Sequence, residues 1–439
     1  MKVTGVEVRF EEHRYRTPYM FGGREVDRVT LCNVECRVED AGGRTARGFG
    51  SMPLGNQWAW PSQKLDYAQT LEAMKGIALA AAPWPQQAGA AHPLRLGWEV
   101  EAQALRFAAS LRLAEAVPKL AVLVAISPLD AALHDAYGKL LRRPAWHTYG
   151  PEHAPPLDEF LGADFRGKYG HAYLRRRPVG RVALFHSVGA SDPLLPSDIQ
   201  TKLDDGLPQA LGDWIAYNGI IRIKIKLNGA DILADIERTV VIDRIAAEAQ
   251  ARRGVKHWLY CVDFNERCPN VDALLEYLRK VKERAPSGFD RILYVEQPTA
   301  RDLRADRANA MHKAAALRPV VIDESLVDRE TLQLAREMGY TGVALKACKG
   351  QTQTVLMAAA AQQDKMFLCV QDLTCPGASF VHSVGIAAWV PGAAGVEGNA
   401  RQYVPSANQG WAEKHPGLFR VTDGWLRTTG MTRPGLGAV

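Results

Sequence analysis

The chain has 439 residues and a mass of 48.2 kDa, with 47% hydrophobic and 23% charged residues. This composition excludes a disordered chain, a collagen-like repeat and a disulfide-stapled miniprotein, and the length points to two or three domains of ~150 residues. The net charge of +6 is spread too thinly for a nucleic-acid-binding face, while a small acidic substrate stays compatible.

The seven cysteines contain no CxxC pair, which argues against a zinc ribbon or a thioredoxin-like site and fits a reducing compartment. The start, Met1-Lys2-Val3-Thr4, lacks the apolar core of a signal peptide. No run of ~18 uninterrupted apolar residues appears. The expectation is a cytoplasmic α/β enzyme with no membrane or nucleic-acid partner.

In chain order, residues 1–10 and 28–40 read as strands, the second closed by the turn Asp40-Ala41-Gly42-Gly43. Residues 66–83 and 98–117 have helical periodicity. Ser127-Pro128-Leu129-Asp130 carries the marks of a helix start, with Ser127 as N-cap and Pro128 at the first position. The first ~125 residues thus read as an α+β unit. Gly48-Phe49-Gly50 lacks the third glycine of a dinucleotide fingerprint.

From about 181 the pattern changes. Eight short apolar runs, at 182–186, 221–226, 258–263, 292–296, 319–323, 343–346, 367–371 and 394–397, alternate with helical stretches such as 231–250, 270–284 and 328–338. Eight βα units predict a closed (β/α)8 barrel, a modified TIM-like barrel under an α+β N-terminal capping domain. The predicted division is 1–125 as cap, completed by 401–439; 126–180 as linking helix and insertion; and 181–400 as barrel. Leu418-Phe419-Arg420-Val421 reads as a further strand. The stretch 146–180 is read as a lid, an oligomer contact or a solvated insertion.

Active sites of such barrels sit at the C-terminal ends of the strands. There this sequence places Lys224-Ile225-Lys226, Asp263-Phe264-Asn265, Glu296-Gln297-Pro298, Asp323-Glu324-Ser325 and Lys346. The spacings from Lys226 to Lys346 are 37, 33, 27 and 23 residues, each about one βα unit. Asp263, Glu296 and Asp323 make an all-oxygen site that suits Mg²⁺. Lys224 and Lys226 share a strand face. A neighbouring ammonium or a divalent cation is expected to lower the lysine pKa toward that of a general base. Lysines flanking metal-bound carboxylates are a layout for removing a proton α to a carboxylate.

This ordered set resembles the enolase superfamily, in its mandelate racemase/muconate lactonizing enzyme branch. The resemblance implies that Lys226 and Lys346 are the acid/base pair, that Asp263, Glu296 and Asp323 are the metal ligands, and that Mg²⁺ is the cofactor. Ser127 to Lys139 resembles the helix linking cap and barrel, and Pro434-Gly435-Leu436-Gly437 resembles the family's closing tail. The sequence departs from the family at Gly50-Ser51-Met52, at Lys349-Gly350-Gln351, and at Glu397 and Asn399, which do not match the D-x-D of dipeptide epimerases.

Candidate substrate contacts are Phe21 and Trp58 from cap loops, His186 at the end of the first barrel strand, Asn265, Asp372 and Glu397. The expected reaction is racemisation or epimerisation of a small carboxylic acid by a homo-oligomeric enzyme. Acid-sugar dehydration or cycloisomerisation on the same site, and a catalytically silent metal-binding scaffold, are the alternatives.

Overall fold

The structure, a computed structural model, describes residues 1–305 and 307–439. Labels below number the strands in chain order and the helices of eight or more residues. The N-terminal sheet is antiparallel, β1 (Lys2–Phe21), β2 (Arg24–Glu39) and β3 (Thr45–Pro53), in that order. β1 runs well past residue 10, because Gly22 and Gly23, both at positive φ, place the turn at the end of a longer hairpin. Helices α1 (Tyr67–Ala81), α2 (Pro93–Ser110) and α3 (Lys119–Leu140) follow. α2 begins earlier than the periodicity indicates, with Pro93 in its first turn and the His92 ring accepting the Leu94 N–H as its cap.

α3 corrects the expected start at Ser127, since it begins eight residues earlier and carries Pro128 inside it. Pro128 has no N–H for the Val124 carbonyl, and the Ser127 hydroxyl donates to that carbonyl instead, at 2.8 Å. A capping signature has here become a repair inside a helix. α3 is long and apolar enough to cross a bilayer, but it is buried along nearly its whole length in the protein core. It lies hard against β3: a Cβ on Gly48 or Gly50 would stand about 2 Å from the carbonyls of Ala132 or Pro128. Close helix–sheet approach accounts for both glycines.

The eight parallel strands are β4 (Arg181–Val188), β5 (Arg222–Lys226), β6 (Leu259–Asp263), β7 (Ile292–Glu296), β8 (Val320–Ile322), β9 (Gly342–Leu345), β10 (Phe367–Val370) and β11 (Ala393–Glu397). They pair in sequence order, and β11 returns to β4 through Val396↔Leu184 and Glu397↔Phe185, so the barrel closes. Between and after them run α4 (Leu211–Asn218), α5 (Ile232–Arg253), α6 (Val271–Arg284), α7 (Arg329–Glu337), α8 (Gln351–Gln363) and α9 (Gly377–Trp389).

The tail differs from expectation. Pro416 starts a helical turn, Pro416–Phe419, where a strand was read, and the strand is β12 (Trp425–Arg427), antiparallel to β4. Beyond it, Gly435 and Leu436 dock on the end of α3, where the Leu436 N–H donates to Asp135. The stretch 146–180 packs along the outside of α8 and α9. The Arg175 and Val179 N–H groups donate to the carbonyls of Trp389 and Ala388, and Tyr149 bonds Gln351 and His134.

Inside the barrel, strand alternation sets two layers. Phe185, Cys261, Tyr294, Val321, Ala344 and Cys369 form a separate buried apolar cluster. The residues two places further along the same faces are Ser187, Asp263, Glu296, Asp323, Lys346 and Gln371. The apolar layer therefore floors the polar one. All seven cysteines are free and buried.

Candidate active site

β5, β6 and β7 are in register through Lys226↔Asp263 and Asp263↔Glu296, which puts these three side chains on one rung. Lys224 lies one inward position earlier and reaches up. Its Nζ stands 2.8 Å from Glu296, 3.0 Å from Asp263, 3.0 Å from Glu397 and 2.7 Å from Gln371 Oε1. Lys226 Nζ lies 2.5 Å from Asp263 and 3.1 Å from Asn265 Oδ1. Across the mouth, Lys346 Nζ lies 2.7 Å from Asp323, and Lys349 Nζ donates to the Asp323 carbonyl (2.5 Å) and Oδ1 (3.1 Å).

The cap reaches into this network. The Phe21 ring lies over Lys226 with its centroid 5.8 Å from Nζ, and the Trp58 centroid is 3.9 Å from Lys346 Nζ. Trp58 Nε1 donates to Glu324 Oε1 at 2.8 Å, an oxygen that also accepts from Asn265. Tyr19 hydroxyl meets Ser187 Oγ at 2.9 Å. Phe21, Trp58 and Asn265 thus all border the network.

Three candidates have other settings. Asp372 accepts the N–H groups of Cys375 and Asn399, and so holds the two loops after β10 and β11 together. Glu397 is committed to Lys224 and to the Asp372 N–H. His186 faces away from the mouth: Phe185 and Ser187 occupy the inward positions of β4, so strand parity turns His186 outward. There it accepts from Arg401 and packs on Trp214.

Within the network of lysines and carboxylates alone, Lys226 and Lys346 are raised, not lowered. Burial pulls Lys226 and Lys346 down, but Asp263 and Asp323 outweigh it and hold both above the ordinary lysine value. Lys349, with burial dominant, is lowered. On the carboxylate side, burial is outweighed by the lysines at Asp263 and Asp323, which lie below their ordinary range. Burial, reinforced by the neighbouring carboxylate, pushes Glu296 up to about 8 and Glu324 up to about 7.

Six buried carboxylates (Asp263, Glu296, Asp323, Glu324, Asp372, Glu397) face four buried ammonium groups (Lys224, Lys226, Lys346, Lys349). Fully ionised, the set would carry two excess negative charges, the charge of one divalent cation; among the protein's own groups, the raised Glu296 and Glu324 relieve that excess by taking up protons. Among the described residues, no three acidic, histidine or cysteine side chains are arranged around a metal-sized space; the carboxylates that do meet, Asp263, Glu296 and Glu397, meet at the Lys224 ammonium. The donor chemistry and the charge balance nevertheless fit a hard cation such as Mg²⁺.

Residues 208–439 match the Enolase C-terminal domain-like family model. The chain belongs to that family. No curated protein sequence matches it. Among solved structures, the family fold is shared with a dipeptide epimerase from Enterococcus faecalis complexed with Mg and L-Leu-L-Tyr. The identity is 16% and the TM-score 0.67, over 100% of this chain and 99% of that one. A muconate lactonizing enzyme from Pseudomonas fluorescens complexed with muconolactone is 17% identical, with a TM-score of 0.65 over 100% and 96%. An N-succinyl Arg/Lys racemase from Bacillus cereus is 16% identical, with a TM-score of 0.64 over 100% and 95%. These are members of the mandelate racemase/muconate lactonizing enzyme branch, as the motif order implied.

Reading for family motifs passed over three site residues. Lys349 stood only as a departure from a glycine turn. Glu324 stood only as the middle of D-E-S. Gln371 joins Lys224 to the Tyr294 hydroxyl at 2.5 Å and belonged to no motif. The available signal was parity, since Gln371 lies two residues after the inward Cys369.

Proposed function

We propose that the barrel mouth removes and returns the proton α to the carboxylate of a small organic acid, with Mg²⁺ as cofactor, as a racemase or epimerase. The observation that carries this is the placement of Lys226 and Lys346. They stand at the ends of β5 and β9, four strands apart in a closed eight-stranded barrel and so across its axis, with the carboxylates of β6, β7 and β8 between them. A substrate held there presents one face to each ammonium. One lysine takes the α-proton and the other delivers one to the opposite face, which inverts the centre.

Asp263, Glu296 and Asp323 are the residues that would hold the metal. When bound, Mg²⁺ supplies positive charge against the negative charge that develops on the substrate carboxylate as the proton leaves. Each lysine can act as a base only when its carboxylate is engaged elsewhere, because Asp263 and Asp323 otherwise keep both protonated. Lys224 bridges Glu296 and Glu397, donating to both, and Lys349 pins Asp323 by main chain and side chain. Phe21 and Trp58 cover the two acid/base lysines and exclude water from them. Asn265, fixed between Lys226 and Glu324, is placed to contact substrate.

The test is incubation in D₂O with Mg²⁺ and a panel of N-acyl amino acids, dipeptides and hydroxy acids. Deuterium entering the α-position with inversion is the expected result, abolished by chelation and restored by Mg²⁺. Loss of water without inversion would replace the racemase reading with a dehydratase. Mg²⁺ binding with no exchange across the panel would leave a silent scaffold.

A further inference from the structure

A second cavity, of about 390 Å³, opens on the outside of the barrel between α4 and the tail. Its size lies within the range of about 300–1,000 Å³ usual for small-molecule sites. Trp214 and Tyr217 of α4 and Phe419 of the tail give it an aromatic wall, and its only charged lining residues are Arg401 and Arg420. Tyr217 packs edge-on against Trp214, with ring centroids 6.0 Å apart, yet stays 58% exposed, a large open surface for an aromatic residue.

Arg401 sets this cavity apart. Its guanidinium donates to Asn218 Oδ1 at 2.5 Å and to His186 Nδ1, and lies 5.0 Å from the Trp214 ring centroid. None of these partners is an anion, and the Nε hydrogen has no acceptor. Arg16, Arg301 and Arg329, by contrast, each have a carboxylate, from Asp205, Glu266 and Asp364. Arg401 is half-buried, and desolvation with no counter-charge beside it pushes its guanidinium down to about 9, so it stays charged at neutral pH. A fixed, charged fork lacking its anion beside an aromatic wall is half of a recognition site.

We propose that this cavity is a second ligand site, separate from the barrel mouth, for a small aromatic carboxylate. The carboxylate pairs with Arg401 and the ring packs on the wall formed by Trp214, Tyr217 and Phe419. Arg401 is the guanidinium fixed beside the aromatic wall, whereas Arg420 is exposed; a ring-bearing monoanion uses both the fork and the wall, and an inorganic dianion would leave the wall unused. The inference does not depend on the chemistry at the mouth.

Equilibrium dialysis of radiolabelled benzoate against the full chain tests it. Benzoate is expected to bind wild type and to bind unchanged when Lys226 and Lys346 are both replaced by alanine, which separates this site from the mouth. Arg401→Gln is expected to weaken binding about tenfold or more through loss of a charge-assisted pair. Tyr217→Ala, an exposed change that keeps the fold, is expected to weaken it about threefold or more. Equimolar inorganic phosphate is expected not to displace the label. Equal affinity in Arg401→Gln and Tyr217→Ala, loss of binding in the double lysine variant, displacement by phosphate, or no binding to wild type at millimolar benzoate would each overturn the assignment.

Discussion

The indole of Trp58 covers the ammonium of Lys346, with Nζ 3.9 Å from the ring centroid. Trp58 comes from the cap and Lys346 from the end of a barrel strand, so this contact ties the cap to one of the two lysines proposed as acid/base residues. A desolvated cation–π contact contributes on the order of 2 kcal/mol. Trp58→Phe keeps an aromatic face and loses only the bond to Glu324. Trp58→Leu loses both. In urea unfolding, Trp58→Leu is expected to be less stable than Trp58→Phe by about 1–2 kcal/mol. Equal midpoints would show that the ring face adds nothing.

Lys226 and Lys346 approach the substrate from opposite sides under the proposed function, so their variants should differ by enantiomer. Lys226→Ala should suppress α-proton exchange of one enantiomer by about 10²–10⁴-fold, and Lys346→Ala that of the other. Parallel loss on both enantiomers, or no loss in either variant, would remove the two-base assignment.

Lys349 touches Asp323 twice, at the carbonyl and at the carboxylate. Lys349→Met leaves a buried carboxylate with only Lys346 as its cation. The variant is expected to unfold about 3–5 kcal/mol more easily and to bind Mg²⁺ about 10–100-fold more weakly, as when a partner orienting a metal ligand is lost. Calorimetric titration with Mg²⁺ checks the second point. Unchanged affinity would mean that Asp323 is oriented without Lys349.

His382 is buried on α9 with its Nε2 2.7 Å from Gln351 Oε1, and burial pushes it down from 6.5 to about 3. The unfolded chain takes up this proton near 6.5 and the folded one does not until about 3. Stability contributed by the neutral ring is therefore complete above 6.5 and falls as the pH drops between the two values, by about 1.4 kcal/mol per pH unit. Against His382→Gln, wild type should lose stability at about that rate between pH 6 and pH 4, read from urea midpoints. A difference that stays constant over this range would mean that the ring titrates alike in both states.

Period-two and βα reasoning placed all eight barrel strands and set Lys226, Asp263, Glu296, Asp323 and Lys346 at one end of them. On β6 to β10 a polar inward residue at the strand end follows an apolar inward one, and on β5 the pair is Lys224 and Lys226, a local pattern that one chain displays on its own. Boundaries were less legible where one residue type serves two roles. Ser127-Pro128 reads as a helix start, yet packing of α3 against β3 and the barrel extends the helix back to Lys119, with the serine hydroxyl replacing the missing donor. Leu418-Phe419-Arg420-Val421 is apolar enough for a strand, yet Pro416 turns the chain into a helical turn.

By itself, then, the sequence determined the mild +6 charge, the eight repeated units and the order of carboxylates and lysines along them. Only the tertiary structure decided which charge meets which. It gave Lys224 three carboxylates, raised Lys226 and Lys346 through their aspartate partners, brought Lys349 and Glu324 into the network, and turned His186 outward to an arginine without an anion. The physical reason is that charges interact by distance across the barrel and strand parity aims each side chain, and neither distance nor parity between separated segments is written in any local stretch of chain.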